Sequence, residues 1–228
     1  MRCFCPTLEP ANESDKAIFP REKFRGDPEG LRAEEIPVCK FCGHQMSLIC
    51  QLAHSDDRLN LGKEGRVLFI FQCDEVNDGF AICPTWDPES GANACFVIEA
   101  DDLAGQSHKL PDRDVPQERE FIVAGWSESV DDVSEDEAAY MLDLEKFNSL
   151  SIFELNKILD KVESRSKLGG IPHWIQHLEI PTGNWRIVGQ LDDSTGVNFG
   201  DGGIGYIFLE DVGNSTALPK GKFLWQCS

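Results

Sequence analysis

MSLICQL at residues 46–52, followed by RVLFIFQC at 66–73, decides the fold, because the same pattern returns later in the chain. WRIVGQL at 185–191 followed by GIGYIFLE at 203–210 repeats its shape, an apolar strand ending in Gln-Leu and then an aromatic strand. The Gln-Leu pairs at 51–52 and 190–191 mark the same point in each copy, with 20 residues from Gln51 to Phe71 and 18 from Gln190 to Phe208. Self-similarity of this kind predicts a duplicated β-unit.

Strands surround both copies. NACFVIEA (93–100), EFIVAGW (120–126) and KFLWQC (222–227) are short, rich in β-branched and aromatic residues, and bounded by turn signals. Asp78-Gly79 is a hairpin turn signal. Residues 1–36, rich in Pro, Gly and charge, read as an irregular lead-in, with Cys3 and Cys5 in a tail. Between the copies the pattern turns helical. Ser134 with Glu137 and Ser151 with Glu154 form two capping boxes, and Phe153, Leu155, Ile158, Leu159 and Val162 recur at helical spacing until Gly169-Gly170. The expectation is an α+β, β-rich fold in a single globular domain over 1–228. Two related antiparallel β-units, a pseudo-repeat with halves at 37–130 and 166–228, pack together and are joined by a helical pair within 134–165.

Composition narrows the function. The 228 residues are 41% hydrophobic, enough for a sizeable core, and hold 21 Lys+Arg against 40 Asp+Glu, a formal charge of −19. Such a field repels phosphate backbones and anionic lipids, so nucleic acid and membrane are not expected partners, and a basic protein is. SESVDDVSEDE (127–137) holds six of the carboxylates in eleven residues. The candidate partner surface is therefore Asp131, Asp132, Glu135, Asp136 and Glu137, with Asp192 and Asp193 from a second acidic loop. With no apolar run of membrane-spanning length and no secretory core in the first residues, a cytoplasmic location is expected.

Nine cysteines, an odd number without a secretion signal, point to metal ligands and buried thiols rather than disulfides. Cys39-Lys-Phe-Cys42-Gly43 is a knuckle whose glycine lets the backbone fold back with amides facing sulfur. Cys73 ends one strand and Cys83 follows the expected hairpin, completing Cys-x2-Cys-x30-Cys-x9-Cys. Four thiolates from Cys39, Cys42, Cys73 and Cys83 make a closed tetrahedral site suited to structural zinc, with no position left for substrate. His44 reads as a solvated neighbour, and Cys50, Cys95 and Cys227 as strand residues.

Other signals carry less. GDGGIG (200–205) has the letters of a dinucleotide loop but feeds a strand, not a helix, and reads as a turn. His173 and His177 would share one face of a helix, but no Glu follows His173 as a metalloprotease requires. Trp174, Trp185 and Trp225 are expected to fill the core where the halves meet.

VCKFCGHQMSLICQLA with the Arg-led strand RVLFIFQC and a further Cys resembles the zinc-associated segment of the programmed cell death protein 2 family. The C-terminal third, with SKLGGIPHWIQ (166–176), VGQLDDSTGVNFGDGGIGYIFLED (188–211) and FLWQCS (223–228), resembles the YwqG-like family in the order of its landmarks. FRGDP (24–28) is only a faint counterpart of that family's Gly-Gly-x-Pro landmark. The YwqG-like resemblance implies two related β-rich halves and brings no established activity with it. The other implies a dedicated chaperone, since its members escort a ribosomal protein. The leading expectation is a non-catalytic, acidic, zinc-stapled binding protein, an immunity protein neutralising a basic toxin. The alternatives are a chaperone for a basic client and an enzyme with a site at the seam, near 169–177 and 192–201.

Overall fold

RVLFIF can run without a polar break because both faces of that strand are covered. In the computed structural model, which describes residues 1–11, 20–77, 80–105, 109–110, 119–213 and 216–228, it lies between two hydrophobic cores. The strands are β1 (Arg2–Pro10), β2 (Lys23–Phe24), β3 (Ser47–Ala53), β4 (Val67–Gln72), β5 (Val76–Asn77), β6 (Phe80–Ala81), β7 (Asn93–Ile98) and β8 (Phe121–Val130). Three short helices follow, α1 (Glu135–Tyr140), α2 (Leu144–Ser149) and α3 (Ile152–Leu159). The chain closes with β9 (Lys167–Gly169), β10 (Trp185–Leu191), β11 (Ile204–Glu210) and β12 (Gly221–Gln226). Among the described residues ten strands form one antiparallel sheet, ordered β12-β11-β10-β9-β1-β8-β2-β3-β4-β7, and β5 pairs only with β6. The Asp78-Gly79 turn between those two lies outside the described residues.

The sheet curls until its edges meet. Gly221 of β12 sits so close to β7 that a Cβ there would lie 2.5 Å from Cys95 Sγ and 2.8 Å from the Cys95 carbonyl oxygen. Trp225 Nε1 donates to Thr85 Oγ1 at 3.1 Å, its ring meets Trp86 edge-on, and Lys222 pairs with Glu89. Inside this near-barrel the two ends of the chain share one core. Leu68 and Ile70 of β4 meet Ile207 and Leu209 of β11 among Phe24, Leu168, Phe199 and Phe223. The opposite faces of the same strands are covered separately. Val67, Phe69 and Phe71 pack under the cysteine-bearing loops, while Tyr206 and Phe208 pack under the helices with Trp174 and Ile171. Apolar side chains on both faces therefore fix a three-layered arrangement.

The expected halves are thus parts of one continuous sheet rather than two discrete units. Local correspondences run through it nonetheless. Lys23 pairs with Gln51 and Lys167 with Gln190, both lysines being buried. Gln51 Oε1 accepts from the Glu29 amide at 2.8 Å, and Gln190 Oε1 accepts from the His173 amide at 2.8 Å. Gln51 Nε2 donates to the Arg21 carbonyl at 2.7 Å, and Gln190 Nε2 to the Ser164 carbonyl at 2.9 Å. Each lysine strand ends in two left-handed residues, Arg25-Gly26 (φ 65° and 72°) and Gly169-Gly170 (φ 73° and 70°). FRGDP therefore has the backbone of a Gly-Gly-x-Pro turn with arginine at the first position, where a side chain is disfavoured.

Several expectations need correction. Residues 1–36 are not an irregular lead-in throughout, because β1 lies near the middle of the sheet between β8 and β9, and Cys3 and Cys5 are buried on it rather than in a tail. A strand with Pro at both 6 and 10 lacks an ordinary strand signal, and its long-range partners supply the order. The connector holds three helices, α2 being started by Asp143 Oδ1 accepting from the Lys146 amide at 3.0 Å. Both capping boxes are present, but α3 ends near Asp160, and Gly169-Gly170 instead ends β9. Leu155, Ile158, Leu159 and Val162 face the core as their spacing requires, whereas Phe153 is 65% exposed. His173 and His177 lie on no helix. Of the three tryptophans only Trp225 touches the other end of the chain; Trp174 is buried beneath the helices, and Trp185 turns back to donate to the Thr182 carbonyl at 3.0 Å.

Candidate metal centre

The knuckle is built by three backbone hydrogen bonds that its sequence makes available. The Cys39 amide donates to the His44 carbonyl at 2.8 Å, and the Gly43 amide returns to the Cys39 carbonyl at 2.9 Å with Gly43 at φ 77°. The Lys40 amide reaches the Gly91 carbonyl at 3.0 Å and ties the knuckle to the segment entering β7. A Cβ on Gly91 would lie 2.5 Å from the Lys40 side chain, so close approach here needs glycine. On the other side, the Cys73 amide donates to the Ala92 carbonyl at 2.8 Å just after β4, and Cys83 follows β6.

These supports bring Cys39, Cys42, Cys73 and Cys83 together with all four sulfurs within 4.8 Å of one another. Cys42 and Cys73 are 3.5 Å apart, and none of the nine cysteines is in a disulfide. Metal–sulfur bonds of about 2.3 Å in a tetrahedron place sulfurs about 3.8 Å apart, so the cluster is geometrically suited to a structural metal ion. Leu31, Ile36, Met46, Leu48 and Phe71 wall it, and only Cys42 is even half-exposed. Four sulfur donors in an apolar pocket match a thiophilic cation and leave no place for an exchangeable ligand.

The local electrostatics distinguish the thiols. Burial opposes ionisation of Cys39, but hydrogen bonds from the Cys42 and Phe41 amides and from neighbouring thiols hold it below the ordinary thiol range. Burial pushes Cys73 well above that range, against a hydrogen bond from the Glu75 amide, and pushes Cys83 up to about 12. Without a cation, three or four anions cannot coexist in this space; a bound metal removes that conflict. His44 is exposed and lies 3.1 Å from Glu75, so it stands outside the donor set.

The expected partner surface divides. Asp132, Glu135, Asp136 and Asp193 are exposed. Glu137 is half-buried, capping α1 and pairing with Lys161 at 2.6 Å. Asp192 is half-buried and accepts from the Ser166 amide at 3.1 Å and Ser194 Oγ at 2.5 Å. Asp131 is the correction. At 1% exposure it grips Lys167 Nζ at 2.9 and 3.0 Å and accepts from the Glu163 and Ile171 amides at 2.8 and 2.7 Å. It is a structural anion, unavailable to a partner. Lys23 is the other buried ammonium among the described residues, 3.2 Å from Glu120 and 3.9 Å from Glu29. Neither ion pair was signalled by sequence, because Lys23 and Lys167 are lone charges in short strands and Asp131 sits in a run of other acids.

GDGGIG is a turn into β11, with Gly200 and Gly202 at φ 85° and 59°. At the expected seam a cavity of about 10 Å³ lies among Lys167, Gly170, Pro172 and Gln190. No helix among the described residues is long and apolar enough to cross a membrane. No family model matches the chain, and no curated protein matches it either.

Proposed function

We propose that the chain is a non-catalytic, zinc-braced protein that binds a basic partner protein. The observation that carries this is the convergence of four thiols from three separate segments into one sealed cluster. Such a site supplies rigidity to the loops over β3 and β4, and no Lewis-acid position. Zinc fits the donor set best, because four sulfurs impose no demand for redox activity or higher coordination. Cys39, Cys42, Cys73 and Cys83 would hold it. The charge of −19 supplies the attraction for a basic partner and speeds its encounter. The cavity beside Gly170 has room for about one water molecule, too little for a substrate, so the enzyme alternative would have to use the cavity of about 190 Å³ among Asn60, Arg186, Asp211 and Pro219.

The paired lysine–glutamine contacts and paired left-handed turns support a duplicated β-unit and kinship with YwqG-like proteins. The knuckle supports kinship with the programmed cell death protein 2 family. Within binding proteins we favour an immunity protein that covers a cationic toxin domain, with a chaperone for a basic client as the alternative. Two measurements test the proposal. Elemental analysis after mild chelator washing is expected to give one zinc per chain, and Cys42→Ser to lose both the zinc and several kcal/mol of stability. Purification from the native host at low salt is expected to retain a basic protein. If that protein's own activity is blocked in the complex, immunity stands; if it is released folded and active, the chaperone alternative stands. Metal-free protein of equal stability refutes the zinc brace, and a purified chain with no basic protein bound refutes the partner.

A further inference from the structure

Phe153 points away from the core that the rest of α3 faces. At 100° per residue it lies about 140° and 160° around the helix from Ile158 and Leu155, on the far side. It is 65% exposed, and Ile152 beside it is 74% exposed. Leu142 and Leu144, just before and at the start of α2, are exposed as well. Single exposed apolar side chains are ordinary, but four within twelve residues of short consecutive helices are not.

The charge around them has one sign. Residues 132–161 contain eight Asp and Glu against three Lys. Asp132, Glu135, Asp136, Asp143, Glu145 and Asp160 are exposed. Of the three lysines, Lys161 is paired with Glu137 and Lys157 lies over the Phe153 ring, 4.4 Å from its centroid. The ring therefore already receives a cation on one face. Exposed apolar side chains on short helices that also carry exposed carboxylates are complementary to a segment with apolar residues on one side and Lys or Arg on the other.

We propose that the outer face of α2–α3, centred on Ile152 and Phe153 on helices that also carry exposed carboxylates, docks a basic amphipathic segment of the partner. This rests on the basic-partner proposal above and gives that partner a place and a shape. It also moves the contact away from Asp131, and it requires apolar anchors that charge alone would not.

The test uses the full chain with two labelled probes: an 18-residue Leu/Lys peptide with its leucines on one helical face, and an oligolysine of equal length. Fluorescence anisotropy is read at 50 and 300 mM salt. The Leu/Lys peptide is expected to bind at least tenfold more tightly than oligolysine at both salts. Ile152→Ser/Phe153→Ser is expected to abolish that tenfold advantage while leaving the unfolding midpoint unchanged, since both side chains are exposed. Glu135→Gln/Asp136→Asn is expected to weaken both probes and flatten the salt dependence. If the Leu/Lys peptide binds Ile152→Ser/Phe153→Ser undiminished, the docking face is wrong while the basic-partner proposal survives. If neither probe binds at 50 mM salt, both fall.

Discussion

Removing the carboxylate of Asp131 is expected to be among the most damaging single changes outside the cysteine cluster. Its oxygens receive Lys167 Nζ at 2.9 and 3.0 Å and the amides of Glu163 and Ile171 at 2.8 and 2.7 Å, so three donors depend on it. Lys167 is 2% exposed, so bulk solvent cannot take over the ammonium. Asp131→Ala leaves an ammonium and two amides without their acceptor. Breaking a buried pair from one side costs about 3–5 kcal/mol. With a urea m-value of about 3 kcal/mol/M, a loss of about 4 kcal/mol lowers the midpoint by about 1.3 M. Lys167→Met in the Asp131→Ala background removes the stranded charge and is expected to recover about 2 kcal/mol. The four proteins of this cycle are compared by tryptophan emission and far-UV circular dichroism in urea. An Asp131→Ala midpoint within about 0.3 M of the parent, or a double variant no more stable than Asp131→Ala, would refute the assignment of Asp131 as a buried structural anion.

Three further outcomes follow from the same structure. Gly170→Ala places a Cβ 2.3 Å from Asp131 Oδ2 and 2.9 Å from Cys3 Cβ at φ 70°, and is expected to cost about 3 kcal/mol. Gly43→Ala, at φ 77° with nothing within 4 Å of the new carbon, is expected to cost only about 1 kcal/mol; equal midpoints for the two in urea melts would contradict the packing at Gly170. Stability is also expected to fall on acidification in two windows. Burial holds His173 below its usual 6.5, so the unfolded chain takes the proton first and stability drops as pH falls below about 6.5; His173→Gln should flatten that limb. The hydrogen bond from Arg165 holds Glu163 at about 2 instead of 4.5, so its contribution is full above about 4.5 and disappears as pH falls towards 2; Glu163→Gln should remove it. A wild-type pH profile superimposable on both variants would refute the two assignments. Finally, Tyr206→Phe, which deletes a hydroxyl donating to the His173 carbonyl at 2.8 Å and accepting from the Ile175 amide at 3.1 Å, is expected to cost about 1–3 kcal/mol in the same melts.

The sequence made much of the outer sheet readable, because β3, β4, β7, β10, β11 and β12 are continuous apolar runs between turn residues. The four positions of the thiol cluster were readable because cysteine in a knuckle, at a strand end and after a hairpin has few alternatives. The middle of the sheet was opaque. RCFCPTLEP has no alternation to identify it, and β2 and β9, two and three residues long, are too short to show a period. β1 is ordered by neighbours more than a hundred residues away, β9 by β1 and β10, and β2 by β3 and β8, pairings that a two- or three-residue pattern cannot encode. Asp131 was misassigned for a related reason: within SESVDDVSEDE it is indistinguishable from its solvated neighbours, and only Lys167, 36 positions on, marks it as buried. Phe153 was misassigned because spacing finds an apolar face without telling whether every member of it is covered.

The position of β1 has a consequence for assembly. Its ladder partners are residues 121–130 on one side and 168–169 on the other, so closing the centre of the sheet means bridging more than a hundred residues twice. Such closures are slow, because the entropy of a long loop is lost before the contacts that reward it exist. During synthesis β1 must wait, unpaired, until β8 and then β9 have emerged. A metal picked up by the four thiols would order residues 37–92 during that wait, giving the unfinished protein one fixed point to build from.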